Sequence, residues 1–321
     1  MSFKQKLVLW IENYLFYPSG FQQLISALLL PLTLVYCVIK FAIKSMSTPK
    51  YFGVRVVSIG NLLIGGTGKT PFIIALSKHF PNNAIVLRGY KRKSSGMYVI
   101  SSDGEILENI DTSGDEAMLL AQKCPQSIVI VSEDRAKGIL KAKELGAKVV
   151  FLDDGYSKRD IEKLDIVLRP KNEPTNLFCL PSGGYKEPKI EYLSADIVAL
   201  EDKDYVRNIS FSFYDSQNKQ YSVIENLPND IVLVSAISKP QRLFEFLPLG
   251  IKHEFFEDHY DFTKEDILEI QEKYNTTNLI VTQKDFVKLQ RFGIDLYVID
   301  LEVKINIEIV DKVGEYVGCR L

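Results

Sequence analysis

From Arg55 to about residue 206, short apolar runs alternate with stretches in which apolar and polar residues mix. The apolar runs are rich in Val, Ile and Leu, as strands buried on both faces of a sheet usually are. They are RVVSIG (55–60), NAIVLR (83–88), SIVIVS (127–132), KVVFLDD (148–154) and KLDIVLR (163–169). Helices are predicted between them, at about 70–80, 115–122 and 134–145. The alternation predicts an α/β fold with a mostly parallel sheet and helices on both faces.

Two other stretches alternate apolar and polar residues one by one, as antiparallel strands do. Residues 97–106 (MYVISSDGEI) predict a hairpin around an Asp-Gly turn. The stretch ISFSFYDSQNKQYSVIE predicts two strands around a polar turn, and we interpret it as a linker over 207–226. A smaller α/β pattern then begins. We therefore expect a main α/β domain over 49–206 and a C-terminal α/β domain over 227–321.

The N-terminus, over 1–48, has a third pattern, which we interpret as membrane-associated helices. Residues 24–39 carry no charge, but these sixteen residues rise only about 24 Å as a helix, less than the roughly 30 Å hydrocarbon core of a bilayer. The stretch before them is amphipathic, as helices at a membrane interface often are. We expect shallow insertion or a marginal span, with Lys40, Lys44 and Lys50 on the cytosolic side. A helical hairpin packed on the protein itself is the alternative.

Composition and charge exclude several classes of protein. A formal net charge of −2 argues against a general nucleic-acid binder, which needs a surplus of Lys and Arg. The four cysteines are scattered without a C-x-x-C pair, and with only three histidines there is no zinc-binding spacing. Lone thiols indicate a reducing compartment, so we expect the soluble part of the chain in the cytosol.

The stretch from Val57 to Pro71 (VSIGNLLIGGTGKTP) joins a predicted strand to a predicted helix and ends like a phosphate-binding loop. Leu63 stands where the general pattern G-x-x-x-x-G-K-[ST] has its first glycine. The loop N–H groups, a lysine and a hydroxyl are the groups that bind nucleotide phosphates and Mg²⁺. We predict a nucleotide site, with a plain glycine turn as the alternative. Its expected residues are Gly65, Gly66, Thr67, Gly68, Lys69 and Thr70.

Two adjacent aspartates, Asp153 and Asp154, end the run KVVFLDD. An acidic residue at the carboxyl end of a buried strand is typical of a Walker B site, where it holds Mg²⁺ directly or through water. Neighbouring carboxylates are costly unless a cation binds them. With Thr70 they are the predicted metal ligands, and a solvated Asp-Asp-Gly turn is the alternative.

Two further clusters carry candidate chemistry. The Gly-Asp-Glu stretch at 114–116 begins a predicted helix. Its acidic residues either cap the helix or, in the functional interpretation, Asp115 is the base that takes a proton from an attacking hydroxyl. Arg88 and the loop 91–93 place four cations within six residues, which suits an anionic substrate. For the loop, plain solvation is the alternative.

The C-terminal half offers two weaker signals. His259 lies next to Asp258 in FFEDHY, and a lone histidine is usually structural. The stretch VTQKD resembles the [NT]-[KQ]-x-D pattern with which GTPases read guanine, and Asp285 would then contact the base.

Taken together, these residues resemble the tetraacyldisaccharide 4'-kinase family, the lipid A 4'-kinases, over nearly the whole chain. The family's loop pattern is GNL-x-x-GGTGKTP, so a non-glycine residue at Leu63 is the family's own variation. The matching motifs, in the family's order, are GNLLIGGTGKTP (60–71), RGY (88–90), GDE (114–116), LDDGY (152–156), DIVL (165–168), DHY (258–260) and T-x-KD (282–285).

The resemblance implies transfer of the ATP γ-phosphoryl group, with Mg²⁺, to the 4'-hydroxyl of a lipid A disaccharide 1-phosphate precursor. The reaction would occur at the cytosolic face of the inner membrane of a Gram-negative bacterium. Asp115, paired with His259 across the two domains, would be the base, with Asp153 and Asp154 near Mg²⁺. The expected catalytic residues are Asp115, His259, Asp154 and Lys69, and the expected substrate-binding residues are Arg88, Lys91, Glu116 and Lys186. We expect no nucleic acid and no obligate protein partner.

Two departures from the family pattern stand out. LPSGGYKEP has Lys186 where the family usually has arginine, which keeps the charge but loses the bidentate fork. GDEAM lacks the proline that often follows the glutamate. Two other functions fit parts of the pattern: a membrane-associated regulatory GTPase, which TQKD would suit, and a non-catalytic membrane scaffold that keeps a nucleotide fold.

Overall fold

The computed structural model describes residues 3–65, 68–221, 227–237 and 240–318, except the side chains at 3–6 and 8. The chain begins with three helices, α1 (Phe3–Phe16), α2 (Phe21–Leu28) and α3 (Leu30–Met46). Pro31 lies in the first turn of α3, where its missing N–H costs no hydrogen bond, and this explains the break at Leu29.

One side of α2 and α3 is apolar and exposed, whereas several polar side chains of α3 contact residues 179–194. Within the described residues, no single helix has the length and hydropathy of a membrane span. Helices α2 and α3 reach that length and hydropathy only together, as a pair bent by 49°. On the other side, Thr33 Oγ1 donates to Ser182 Oγ at 2.8 Å, and Tyr36 OH donates to the Lys186 carbonyl at 2.7 Å. Helix α3 therefore packs on the protein, and the membrane association of these helices stays a prediction.

The larger sheet has eight strands in the order β4-β3-β5-β2-β6-β1-β7-β8. Pairs β1–β7, β7–β8 and β2–β5 are parallel, while β3 is antiparallel to β4 and β5. The predicted mostly parallel sheet and the hairpin are thus confirmed. The strands are β1 (Arg55–Asn61), β2 (Asn83–Leu87), β3 (Tyr98–Ser102), β4 (Glu105–Ile106), β5 (Ile128–Val131), β6 (Val149–Asp153), β7 (Leu164–Arg169) and β8 (Ile197–Leu200).

Side chains cap two of the helices between these strands, both at the N-terminal end. Asp134 caps α7, accepting hydrogen bonds from the N–H groups of Ala136 and Lys137. Helix α4 ends at Ser77, earlier than the sequence predicts, and Asn83 donates to the Ser77 and Phe80 carbonyls in the turn that follows. The helices are α4 (Lys69–Ser77), α5 (Ile110–Ser113), α6 (Asp115–Lys123) and α7 (Arg135–Glu144).

A second sheet of six strands has the order β10-β9-β14-β13-β11-β12. The stretch interpreted as a linker supplies β9 and β10 of this sheet, and its residues 222–226 lie outside the described part of the chain. The strands are β9 (Tyr205–Tyr214), β10 (Gln220–Tyr221), β11 (Val232–Ser235), β12 (Lys252–Phe255), β13 (Leu279–Thr282) and β14 (Leu296–Ile305). The helices are α8 (Lys264–Tyr274), α9 (Gln283–Leu289) and α10 (Ile307–Val317).

Contacts divide the chain into two compact units. The first contains Met1–Lys69, Leu152–Tyr205 and Asn306–Leu321, and the second contains Thr70–Phe151 and Val206–Ile305. Each unit therefore joins segments that are far apart in the sequence. The four-part domain organisation stated above stays a prediction.

Candidate functional site

The start of the predicted phosphate loop is a core element of the first unit. Leu62 and Leu63 are buried, and they share an apolar cluster with Tyr14 and Phe16 of α1 and with Tyr185. Leu63 exposes 6% of its surface, so the residue that replaces the usual glycine is held by packing. The backbone adds two bonds, from Ile64 N to the Gly184 carbonyl at 2.9 Å and from Lys186 N to the Leu62 carbonyl at 2.8 Å.

Asn61, at the end of β1, fixes the two ends of the loop. Its Nδ2 donates to the Leu63 carbonyl at 2.7 Å, and its Oδ1 accepts from Lys69 Nζ at 3.1 Å. Gly65 and Gly68 have φ of 93° and 80°, a backbone conformation that favours glycine. Gly66 and Thr67 lie outside the described residues. The sequence analysis did not predict Asn61 as a site residue. The signal was present, because Asn61 belongs to the Gly-Asn-Leu part of the loop motif.

Asp154 meets two ammonium groups in the first unit. Its Oδ1 accepts from Lys186 Nζ at 2.6 Å and lies 3.8 Å from Lys69 Nζ. Asp154 itself has φ of 52°, and its N–H donates to the Ile59 carbonyl of β1 at 2.9 Å. Three residues that the sequence treats as separate signals are therefore brought together: the loop lysine, an aspartate after β6 and the lysine of LPSGGYKEP.

Lys186 is held where its charge is only partly compensated. Burial lowers the pKa of the Lys186 ammonium and the charge of Lys69 adds to this, while Asp154 and Asp153 oppose it. The net pKa is below the ordinary value for lysine. An anion placed between Lys69 and Lys186 would relieve their repulsion, so the arrangement suits a phosphate group.

Within the described residues, no group of three or more His, Cys, Asp or Glu side chains could by itself hold a metal ion. Mg²⁺ in phosphoryl-transfer sites needs fewer protein ligands, because one or two carboxylates suffice alongside phosphate oxygens and water. Asp153 is buried at the end of β6, and Asp154 follows it. Their hard oxygen donors fit that ion.

The second cluster is centred on Asp115 and His259 of the second unit. His259 Nδ1 lies 3.0 Å from Asp115 Oδ1 and 2.8 Å from Oδ2, so its Nδ1–H donates to the carboxylate. The Glu116 N–H donates to Oδ1 at 3.1 Å. The contact implied by the resemblance is therefore present, between residues 144 positions apart in the chain.

The surroundings keep Asp115 ionised. Burial alone would raise the pKa of the Asp115 carboxyl, but the hydrogen bond and charge of His259, with Lys284 and Lys288, lower it below its usual value. On its other side, His259 Nε2 lies 3.6 Å from Asp258 Oδ2. The ring also meets Tyr90 edge-on, with centroids 5.9 Å apart. The imidazole is thus held between two carboxylates and fixed by an aromatic side chain.

The basic loop is largely neutralised by carboxylates of its own unit. Lys91 Nζ donates to the Asp258 carbonyl at 3.2 Å, and the buried guanidinium of Arg92 pairs with Glu133. Lys93 pairs with Asp111 at 2.8 Å. The sequence could not foresee these partners, because they come from distant segments. Arg88 remains exposed after β2 and forms no ion pair with any residue that the structure describes.

The two remaining candidates from the TQKD and GDE motifs have protein partners. Lys284 of α9 pairs with Glu116. Asp285 is fully buried, and its carboxylate accepts hydrogen bonds from Ser235, Ala236 and Thr282. The idea that Asp285 contacts a guanine base is therefore wrong, since the carboxylate is inaccessible to a nucleotide.

Comparison with known proteins adds sequence relatives along nearly the full chain. Residues 25–316 match the family model LpxK, described as tetraacyldisaccharide-1-P 4'-kinase. The chain is 51% identical over 304 residues to the tetraacyldisaccharide 4'-kinase of Aliarcobacter butzleri (strain RM4018), which covers 94% of this chain and 95% of that protein. It is 43% identical over 319 residues to the protein of that name from Campylobacter jejuni (strain 81-176), which covers 99% and 98%.

A solved structure has the same fold. It is described as an "apo" form of LpxK from Aquifex aeolicus in complex with ATP, and it is 27% identical to this chain with a TM-score of 0.72. The match covers 92% of this chain and 98% of that chain.

Proposed function

Because this chain belongs to the tetraacyldisaccharide-1-P 4'-kinase family, we propose that it transfers the γ-phosphoryl group of ATP to the 4'-hydroxyl of a lipid A disaccharide 1-phosphate. The chain is a phosphotransferase of lipid A biosynthesis. The regulatory GTPase is thereby set aside, and so is the non-catalytic scaffold. What remains to be proposed is the role of each residue.

The phosphate loop binds the nucleotide. Lys69 neutralises charge on the β- and γ-phosphates, and the backbone of Gly65 and Gly68 lines the phosphates. Asn61 supports this role because it accepts from Lys69 Nζ at 3.1 Å and so aims the ammonium group in advance. A side chain already in place loses less entropy when the nucleotide binds.

The oxygen donors Thr70, Asp153 and Asp154 would hold Mg²⁺. The ion, when bound, neutralises the charge that builds up between the β- and γ-phosphates during transfer. Lys186 Nζ, at 2.6 Å from Asp154 Oδ1, holds that carboxylate in place and adds positive charge beside it. Phosphoryl transfer depends chiefly on such positioning and charge.

Asp115 takes the proton of the attacking 4'-hydroxyl. Oδ1 already accepts from Glu116 N–H and His259, whereas Oδ2 accepts from His259 and keeps a lone pair for the sugar hydroxyl. While Oδ2 accepts the proton, the hydrogen bond from His259 Nδ1–H keeps the Asp115 carboxyl group in the same orientation. On the other side of the ring, Asp258 Oδ2 lies 3.6 Å from Nε2 and helps to fix the imidazole. His259 thus orients the base.

The acceptor is anionic, and cations at the site would bind it. Arg88 is exposed after β2, which supports a role in contacting a phosphate of the lipid. Lys91 donates to the Asp258 carbonyl, and Glu116 pairs with Lys284. These two residues therefore shape the surroundings of His259 and Asp115, and we propose that they also bind the sugar.

The enzyme meets its lipid at the cytosolic face of the inner membrane, through α1 to α3. One side of α2 and α3 faces the protein, where Lys40 pairs with Glu187 and Lys44 with Glu191. The exposed side is apolar, and burying it in the interface of a membrane removes it from water. Its residues are Leu24, Leu28, Leu32, Leu34, Val35, Val38, Ile39, Phe41, Ile43 and Met46.

The contact of His259 Nδ1 with both carboxylate oxygens of Asp115 carries the catalytic assignment. The test is Asp115→Asn, assayed with labelled ATP and a lipid A disaccharide 1-phosphate. Turnover should fall by about 10²- to 10⁴-fold, the range for loss of a general base, while the Kd for ATP stays the same. The control is Asp111→Asn, because Asp111 is an exposed aspartate of α5 that pairs with Lys93. A turnover within a few-fold of the unmodified enzyme would remove Asp115 as the base.

A further inference from the structure

We infer that Asp285 is a positioning residue that holds His259 in register with Asp115. The inference rests on the proposed role of the Asp115–His259 pair. Asp285 lies in the first turn of α9, with 0% of its surface exposed. A buried carboxylate is costly unless it is fully hydrogen-bonded, so its partners indicate what it does.

Three donors converge on the Asp285 carboxylate. Oδ1 accepts from the Ala236 N–H at 3.1 Å, and Oδ2 accepts from Ser235 Oγ at 2.9 Å and from Thr282 Oγ1 at 2.7 Å. Ser235 ends strand β11 and Ala236 follows it, whereas Thr282 caps α9. The carboxylate therefore fixes the end of β11 to the start of α9.

The same end of β11 holds the turn that carries His259. The Ser235 carbonyl accepts from the Phe256 N–H at 2.9 Å, and the Ala236 carbonyl accepts from the His259 N–H at 3.0 Å. His259 has φ of 66°, a strained conformation for a residue with a Cβ, which persists only where its surroundings hold it. The bond to Ala236 is one such restraint.

A continuous path thus runs from the Asp285 carboxylate through the Ala236 peptide to the His259 backbone, and from the imidazole to Asp115. The path works only if Asp285 can accept on both sides. An asparagine could accept from the Ala236 N–H, but its amide group would then point donors at the Ser235 and Thr282 hydroxyls. Thr282 Oγ1 already accepts from the Asp285 N–H at 3.3 Å, so the exchange leaves the cluster with more donors than acceptors.

Lys288 is the other charge beside this carboxylate. Its Nζ lies 3.4 Å from Asp285 Oδ1, and it sits over the Phe262 ring at 5.3 Å. Neutralising Asp285 would leave this nearly buried ammonium group without its carboxylate neighbour. The turn from Phe256 to Phe262 would be disturbed from that side as well.

The test is a double-mutant cycle between Asp285→Asn and His259→Ala, followed by steady-state kinetics of the full-length enzyme. Alone, Asp285→Asn should lower kcat by about 10- to 100-fold, the loss expected when a catalytic group shifts by about 1 Å, with KM for ATP and for lipid unchanged. In the His259→Ala background the same change should alter kcat less than twofold, because the residue it positions is absent.

A merely structural role predicts a different pattern. If Asp285→Asn lowers kcat by the same factor with and without His259, or raises both KM values with it, Asp285 does not act through His259 and the inference is overturned. If His259→Ala itself leaves kcat unchanged, the proposed catalytic pair fails, independently of Asp285. The two failures are therefore distinguishable.

Two further variants keep the test sound if Asp285→Asn folds poorly. Ser235→Ala removes one donor to the same carboxylate and should give a smaller loss of kcat, again absent in the His259→Ala background. Asp230→Asn is the control, because the Asp230 carboxylate accepts hydrogen bonds from Thr276 and Asn278 in the second unit and takes no part in this path. It should leave kcat unchanged. A Ser235→Ala loss that persists without His259 would contradict the inference.

Discussion

Replacing Leu63 with glycine would restore the general phosphate-loop pattern, yet we expect it to damage the protein. Leu63 is 6% exposed and packs in a cluster with Tyr14, Phe16 and Tyr185. Truncating a buried leucine to alanine costs about 2 to 5 kcal/mol, and glycine adds up to about 1 kcal/mol through backbone entropy. We therefore expect Leu63→Ala to lower the free energy of unfolding by about 3 kcal/mol and Leu63→Gly by about 4 kcal/mol.

Catalysis should suffer with stability, because the Leu63 carbonyl accepts from Asn61 Nδ2 at 2.7 Å and Asn61 accepts from Lys69. A loosened Leu63 frees Asn61, so the Lys69 ammonium is no longer aimed in advance. We expect a raised KM for ATP in both variants, and a larger rise with glycine. Asn61→Ala should reproduce the rise in KM with less loss of stability.

The measurement is a urea titration followed by tryptophan fluorescence. The chain has one tryptophan, Trp10, whose ring stacks on Tyr14 at 5.8 Å between centroids, so its emission reports on this cluster. Leu193→Ala is the control, because Leu193 is 86% exposed in the same unit and should change the free energy of unfolding by less than about 0.5 kcal/mol. An unfolding midpoint unchanged in Leu63→Gly would refute the claim that this position is a core position.

Three further predictions concern Lys186, Gly184 and the apolar face of α2 and α3. Burial and Lys69 lower the pKa of Lys186, so its ammonium group loses its proton at a lower pH than an ordinary lysine. Lys186→Arg should therefore shift the alkaline limb of the pH profile of kcat to higher pH. An alkaline limb that does not move would argue against a charged Lys186 in turnover. A Cβ at Gly184 would clash with the Phe16 ring, so Gly184→Ala should lower the thermal midpoint of unfolding, and Phe16→Leu should partly restore it. If Phe16→Leu restores nothing, the damage lies elsewhere. A triple variant of the apolar face should move the enzyme from the membrane to the soluble fraction with ATP binding intact; it carries Leu28→Glu, Val35→Glu and Phe41→Glu. A control variant with three glutamates at other exposed apolar positions should stay at the membrane; it carries Ile106→Glu, Leu107→Glu and Leu140→Glu.

The local parts of the site could be predicted from the sequence because each is a short pattern. The phosphate loop lies between a strand and a helix, Asp153 ends a buried strand, and Asp115 begins a helix, as predicted. Strand and helix periods depend on neighbouring residues, so they can be read without knowledge of the fold. The TQKD stretch shows the limit of this, since the same four residues suit a base-reading loop or, as found, a buried helix cap.

Partners from distant segments could not be read from local pattern. Lys186 reaches Asp154, and Lys91 reaches Asp258 across 167 positions, because the topology brings their segments together. The Asp115–His259 contact was expected only from resemblance to a family. Burial of Leu63 likewise depends on α1 packing beside the loop.

The sequence by itself determined the α/β fold class and the family, and it predicted the nucleotide loop and the acidic pair at the end of β6. The tertiary structure decided which charged groups meet and which residues are buried. Asp285 is hydrogen-bonded inside the protein, the basic loop is largely paired with carboxylates, and Leu63 is part of the core. The physical reason is that hydrogen bonds and burial act over a few ångströms in space, whatever the separation along the chain.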